Sequence, residues 1–162
     1  LTARVRVTGL DVEANAAAFA QAGLPAGCAD IVAMNPPFNH HARHQTSPDA
    51  SRAAAHEADD QTLALWLKAA RRVLKPDGVV VLIWRAEDVS QVLDTFAIGF
   101  GGIELCPIHA MPQQDAIRIV ARARRDSRAP LRLRPALVLN DEARMPSLEA
   151  QAILRHGSAL FD

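Results

Sequence analysis

Asn35-Pro36-Pro37-Phe38 is the segment of this chain whose residue types are best suited to chemistry. It follows Ile31-Val32-Ala33-Met34, a wholly apolar run with the pattern of a strand covered on both faces. The two prolines end any ladder hydrogen bonding and stiffen the backbone. Proline brings no amide donor, so carbonyls beside it stay available as acceptors. Asn35 adds a side-chain carbonyl, and Phe38 adds a flat apolar face. Two acceptors next to an aromatic platform suit a planar ring that carries an exocyclic amino group. The acceptors take its two protons while the aromatic ring stacks on its face.

Other chemistry-bearing residues are weighed against plainer roles. Asp11 stands at the carboxyl end of the alternating segment Arg4–Leu10, where the plain role is a helix N-cap. His40, His41 and His44 carry the i and i+4 spacing that can share an ion. They lie in a proline-flanked loop with no cysteine nearby, so no metal site is predicted and His40 is read as facing a substrate. Between Arg118 and Arg134 seven arginines face Asp126 alone, a balance that suits phosphate backbones. The candidate nucleic-acid contacts are Arg118, Arg122, Arg124, Arg125 and Arg128. Their plain role is the solvated, charge-guarded edge of a sheet.

These residues need a scaffold, and the pattern supplies one. Arg4–Leu10 alternates as a strand, residues 13–23 are an alanine-rich helix, and 31–34 are a buried strand. Residues 39–55 read as a long loop. Leu63, Trp66, Leu67, Ala70 and Leu74 form one apolar stripe over a helix at 59–74. Val79–Trp84 is a central parallel strand, 87–97 an amphipathic helix, and 103–108 a further strand. Residues 116–124 place Ile117, Ile119, Ala121 and Ala123 opposite arginines, the mark of a one-sided antiparallel edge. Trp66 and Trp84 fall in apolar patterns and belong to the core. The order gives an α/β fold, a mostly parallel sheet with one antiparallel edge strand and helices on both faces. Residues 1–125 make the main unit. Residues 126–162 are an Arg/Pro-rich extension with a short helix near Ser147–Arg155.

Composition limits the classes. The 162 residues are 49% hydrophobic with 18 basic and 18 acidic side chains, which argues against a disordered tail and a uniformly basic coat. No apolar run approaches the ~20 residues that span a bilayer, so no membrane partner is expected. Cys28 and Cys106 have neither metal nor disulfide-framework spacing and fit a reducing cytoplasm.

"DIVAMNPPF" at Asp30–Phe38 resembles the catalytic motif of S-adenosylmethionine-dependent amino methyltransferases of the class I, Rossmann-like type. The chain is similar to their small-domain family, in particular to the branch of tRNA adenine-N6 methyltransferases acting on tRNA1(Val). "SPDA", "LKPDGVVVLIWRA", "AIRIVARARRDSRAPLRL" and "EAQAILRHGSAL" extend the resemblance over nearly the whole chain. It implies that Asn35 and the Pro36 carbonyl hold the target amine, that Pro37 shapes the turn, and that Phe38 stacks on the base. It also implies that Asp11, with Gly9 and Leu10, and Asn35 line the pocket of the cofactor, S-adenosylmethionine. The expected acceptor is adenine N6 in tRNA or a purine in rRNA, with RNA as partner. Protein glutamine-N5 methylation uses the same tetrapeptide, usually with Tyr at its fourth place, and a non-catalytic RNA- or partner-binding role is the alternative from another class. The family's glycine-rich cofactor loop has no counterpart here, and "GFGG" at Gly99–Gly102 follows a helix rather than a strand. The chain therefore reads as starting at the family's third strand, with roughly 60 residues of two strand–helix units before it, and the 162 residues alone are expected to be inactive.

Overall fold

The computed structural model describes the backbone of residues 5–37 and 48–161, and the side chains of 5–37 and 61–161. Its elements run α1 (Ala16–Gln21), β1 (Ala29–Met34), α2 (Pro48–Val73), β2 (Leu74–Arg85), a 3-10 turn (Ala86–Asp88), α3 (Val89–Phe96), β3 (Phe100–His109), β4 (Ala116–Arg125), β5 (Arg132–Leu133), β6 (Leu137–Val138) and α4 (Leu148–His156).

The sheet has the order β1-β2-β4-β3-β5, with β6 also on β3. β1 and β2 are parallel, as are β3 with β5 and β3 with β6, while β4 is antiparallel to both β2 and β3. The mostly parallel sheet with one reversed strand is thus as expected from the sequence. The reversed strand is not at an edge, however, because it hydrogen-bonds to a neighbour on each side. Its one-sided pattern has another cause. Ile119, Ala121 and Ala123 enter the main core, while Val120, between arginines, packs into a second cluster on the opposite face.

The main core joins α2 and α3 to the sheet. Leu63, Leu67 and Ala70 of α2 meet Val80, Leu82 and Trp84 of β2, all nearly without solvent exposure, and Phe96 meets Phe100 edge-on at 5.6 Å between ring centroids. Burying side chains of this size stabilises by ~1.5–3 kcal/mol each. Trp84 is fully buried and Trp66 packs partly buried against the same cluster, as their apolar patterns predicted. The second cluster, Cys106, Ile108, Leu137 and Ala150, seats α4 on the other face, so helices cover both faces. The segment 126–162 therefore adds two short strands and a helix to the sheet's own layers. α4 starts where Ser147 accepts from the Ala150 amide at 3.0 Å and stops at Gly157 with φ 71°.

Three expectations need correction. β1 is not covered on both faces: Met34 is buried, but Ile31 is 66% exposed and Ala33 is exposed, since β1 ends the described sheet and an apolar run does not say which face a layer covers. Residues 5–10 form no strand: Val5 and Val7 are 84% and 91% exposed, and no described strand pairs with them. Alternation specifies which face a strand buries, but a strand exists only when a neighbour takes its hydrogen bonds. The loop predicted over 39–55 is helical from Pro48 onward. Proline suits the first helical turn, and the alanines at 50, 53, 54 and 55 favour helix without any apolar stripe to announce it. Residues 38–47 lie outside the described residues. Among the described residues, no helix is long and apolar enough to cross a membrane.

Candidate functional site

Parallel strands β1 and β2 end side by side, with Met34 in register with Leu82. Ligands of open α/β sheets bind at this carboxyl edge. The first three residues of the predicted tetrapeptide lie on it. Pro36 is fully buried and anchors the turn, while Asn35 and Pro37 are exposed. An amide side chain is thus presented to solvent on a backbone that two prolines hold fixed. Phe38 and His40, also predicted for this site, lie outside the described residues, as do His41 and His44.

Asp11 does not cap α1. Asn15 does, accepting from the Ala18 amide at 2.9 Å. Asp11 instead closes a local turn, its Oδ1 accepting from the Glu13 amide at 2.9 Å and its carbonyl from the Ala14 amide at 3.1 Å. The carboxylate remains exposed. Leu10 packs in one apolar cluster with Val32 of β1, two residues before Met34, and so ties this turn to β1. Gly9 has open space where a side chain would stand.

β2 contributes residues that the sequence reading missed. Directly after its apolar run, Arg85 donates through Nε to the Asp88 carboxylate at 2.6 Å, and Asp88 is only 4% exposed. Glu87 lies 3.8 Å from the same guanidinium, and Arg85 pairs in register with Arg118 on β4. The signal was present, since a charged Arg-Ala-Glu-Asp run after six apolar residues marks a strand's carboxyl edge. The pair fixes the end of β2 beside the β1 turn.

The arginine segment is divided rather than presented as one face. Arg122 donates to Glu104 Oε1 at 2.8 Å and lies 4.6 Å over the Phe161 ring. Arg118 donates to the Ile117 carbonyl at 2.8 Å. Arg124 reaches the Asp77 carbonyl at 3.5 Å and is otherwise exposed, like Arg128. Arg125 points to the other side of β4, donating to the Leu74 carbonyl and to Asp126 at 3.1 Å. Of the buried groups, the Cys106 thiol is pushed up from its ordinary pKa by burial, and its Sγ donates to the Pro135 carbonyl at 3.3 Å. Cys106 is thus structural, while Cys28 is exposed. No cluster of three metal-ligating residues occurs among the described residues.

No family model and no curated protein matches the chain. Solved structures do. The chain is similar to a predicted O-methyltransferase of Agrobacterium tumefaciens with a TM-score of 0.72 and 26% identity, over 93% of this chain and 62% of that one. It is also similar to a candidate DNA modification methylase of Thermus thermophilus, with a TM-score of 0.50 and 16% identity, over 68% of this chain and 53% of that one. The chain thus spans less than two thirds of the length of either. Over the aligned part it has the Rossmann-like α/β fold of these methyltransferases.

Proposed function

We propose that this chain is the acceptor-binding part of an S-adenosylmethionine-dependent methyltransferase that methylates an exocyclic amino group, with adenine N6 in tRNA as the acceptor. The observation that carries the reading is the Asn35 side chain exposed on a turn anchored by buried Pro36, at the carboxyl edge of a methyltransferase-like sheet. An amide oxygen held there accepts from one amino proton and fixes the direction of the nitrogen lone pair. Methyl transfer needs little beyond such orientation and a site that accommodates the changing charge.

Asp11, Gly9 and Leu10 have the chemistry to receive the adenine half of the cofactor. One oxygen of Asp11 is engaged by the Glu13 amide, leaving the exposed carboxylate able to accept from an adenine amino group. Gly9 leaves room for a flat ring, and Leu10 lends apolar surface beside it. S-adenosylmethionine, when bound, supplies an electrophilic methyl group. The chain's own part is to hold the acceptor through Asn35 and the Pro36 carbonyl, with Phe38 against the base. On RNA that base must be unpaired or flipped out.

The test, made on a polypeptide that also supplies the glycine-rich cofactor loop, is transfer of labelled methyl from S-adenosylmethionine to total tRNA, rRNA, DNA and protein fractions, followed by identification of the modified unit. N6-methyladenosine in tRNA is expected. Label only in protein glutamine, only in DNA, or in no fraction overturns the reading.

A further inference from the structure

Lys68, Arg71 and Arg125 meet in one cavity of about 490 Å³ between α2 and α3, with Arg72 on its wall and Leu67 and Ile98 as apolar lining. Lys68 and Arg71 are one helical turn apart and share a face of α2. Arg125 arrives from the end of β4. Among the described residues one carboxylate serves this group: Asp126 lies 2.9 Å from Arg71 and 3.1 Å from Arg125. Arg72 is occupied, donating to the Ala14 carbonyl at 2.8 Å and lying 4.8 Å over the Phe19 ring. Lys68 is exposed and has no ion pair among the described residues. Among the described residues, four cations against one carboxylate leave the cavity positive.

Its position separates it from the Asn35 turn. α2 ends where β2 begins, and β4 ends beside that point, so the cavity opens at the amino-terminal edge of the sheet. From Val79, in register with Arg124, to Leu82, in register with Met34, β2 spans about 10 Å at ~3.3 Å per residue. The same groove between α2 and α3 is acidic at its other end, where Glu87, Asp88 and Asp94 line a second cavity of about 510 Å³. A polyanion is repelled there and retained at the basic end.

We propose that the Lys68–Arg71–Arg125 cavity binds phosphodiesters of a folded RNA, as a second contact at the opposite edge of the sheet from the base presented at Asn35. The inference rests on the RNA-methylating reading and deepens it. A rigid stem reaches both edges of the sheet without ordering a flexible chain. The enzyme would then select its substrate by shape at a distance, through contacts to the backbone that carry no sequence information.

The experiment, on a polypeptide that also supplies the cofactor loop, is equilibrium binding to folded tRNA, to duplex DNA of similar length and to a poly-glutamate peptide, across a salt series, with tRNA methyl transfer measured in parallel. Lys68→Gln and Lys68→Glu are compared with Arg155→Glu, an exposed cation on α4 outside the cavity, and Tm is recorded for each. With Tm unchanged, Lys68→Glu should weaken tRNA binding about 3–10-fold at low salt and lower the salt slope by about one, with Lys68→Gln intermediate. Arg155→Glu should leave both unchanged. Equal loss from Lys68→Glu and Arg155→Glu, or no loss from either Lys68 variant, overturns the proposal even if tRNA is methylated. Duplex DNA or poly-glutamate binding through Lys68 as tightly as tRNA does also overturns it. Lys68-dependent tRNA binding without methyl transfer supports the site and overturns the amino-methyltransferase reading instead.

Discussion

Arg71 Nη2 and Asp126 Oδ1 lie 2.9 Å apart across 55 residues of sequence, joining the end of α2 to the turn after β4. The hydrogen bond from Arg71 holds the Asp126 carboxyl below its ordinary pKa, with Arg125 adding to the effect. Asp126 also occupies the left-handed region at φ 57°, which asparagine tolerates. Asp126→Asn is therefore a clean removal of the charge. A depressed folded-state pKa contributes stability that is full above the unfolded aspartate value of about 3.9 and is lost as pH falls through the folded value below it. The Tm gap between wild type and Asp126→Asn should be present at neutral pH and close in that acid window. A gap independent of pH would remove the charge from the explanation.

Arg122 should prove to be a stability residue. Its guanidinium is held between Glu104 and Phe161, with side-chain exposures of 22% and 14% for the ion pair. Arg122→Glu breaks a largely buried pair and sets two carboxylates together, a loss on the order of 3 kcal/mol in urea unfolding. Arg124→Glu, on the exposed neighbour, should stay within about 0.5 kcal/mol. Equal losses for the two would refute the assignment.

In a polypeptide that also supplies the cofactor loop, Asn35→Ala should lower kcat for methyl transfer by about 100-fold or more while cofactor affinity measured by calorimetry stays nearly constant. Asp11→Ala should instead weaken cofactor binding by roughly 10–100-fold, the scale of one lost charge-assisted hydrogen bond. If the two variants fail in the same parameter, the division of roles is incorrect.

Gly101 permits a close backbone approach, since a Cβ there would fall on the Ser127 carbonyl oxygen. The obstruction is main chain and cannot rotate away. Gly101→Ala should cost about 1–3 kcal/mol, read as a lower urea midpoint. An unchanged midpoint would mean that the 126–131 segment shifts freely.

A thiol reagent should modify one cysteine in the native protein, the exposed Cys28, and reach Cys106 only on unfolding. Because burial raises the Cys106 pKa, its contribution to stability is full below the unfolded thiol value of about 8.5 and declines as pH rises through the folded value. Fast labelling of both thiols at neutral pH would show that the second cluster opens.

Elements that carry their own pattern were legible from the residues alone. The apolar runs ending at Met34 and Trp84, the α2 stripe and the short helix near Ser147–Arg155 are all local signals, and each led to the right element. The same locality placed Asn35 at a strand's carboxyl edge. Where a feature depends on a neighbour, packing in three dimensions settled it. Residues 5–10 alternate like a strand but have no described partner. β4 looked like an edge because the cluster that covers its arginine face comes from 126–162. The arginine run, continuous in sequence, is divided because successive side chains of a strand point to opposite faces. Arg122 goes to an ion pair under Phe161, and Arg125 goes to a cavity with Lys68 and Arg71, more than fifty residues earlier. Net charge and spacing are properties of the chain, but a local field depends on which residues the fold brings together.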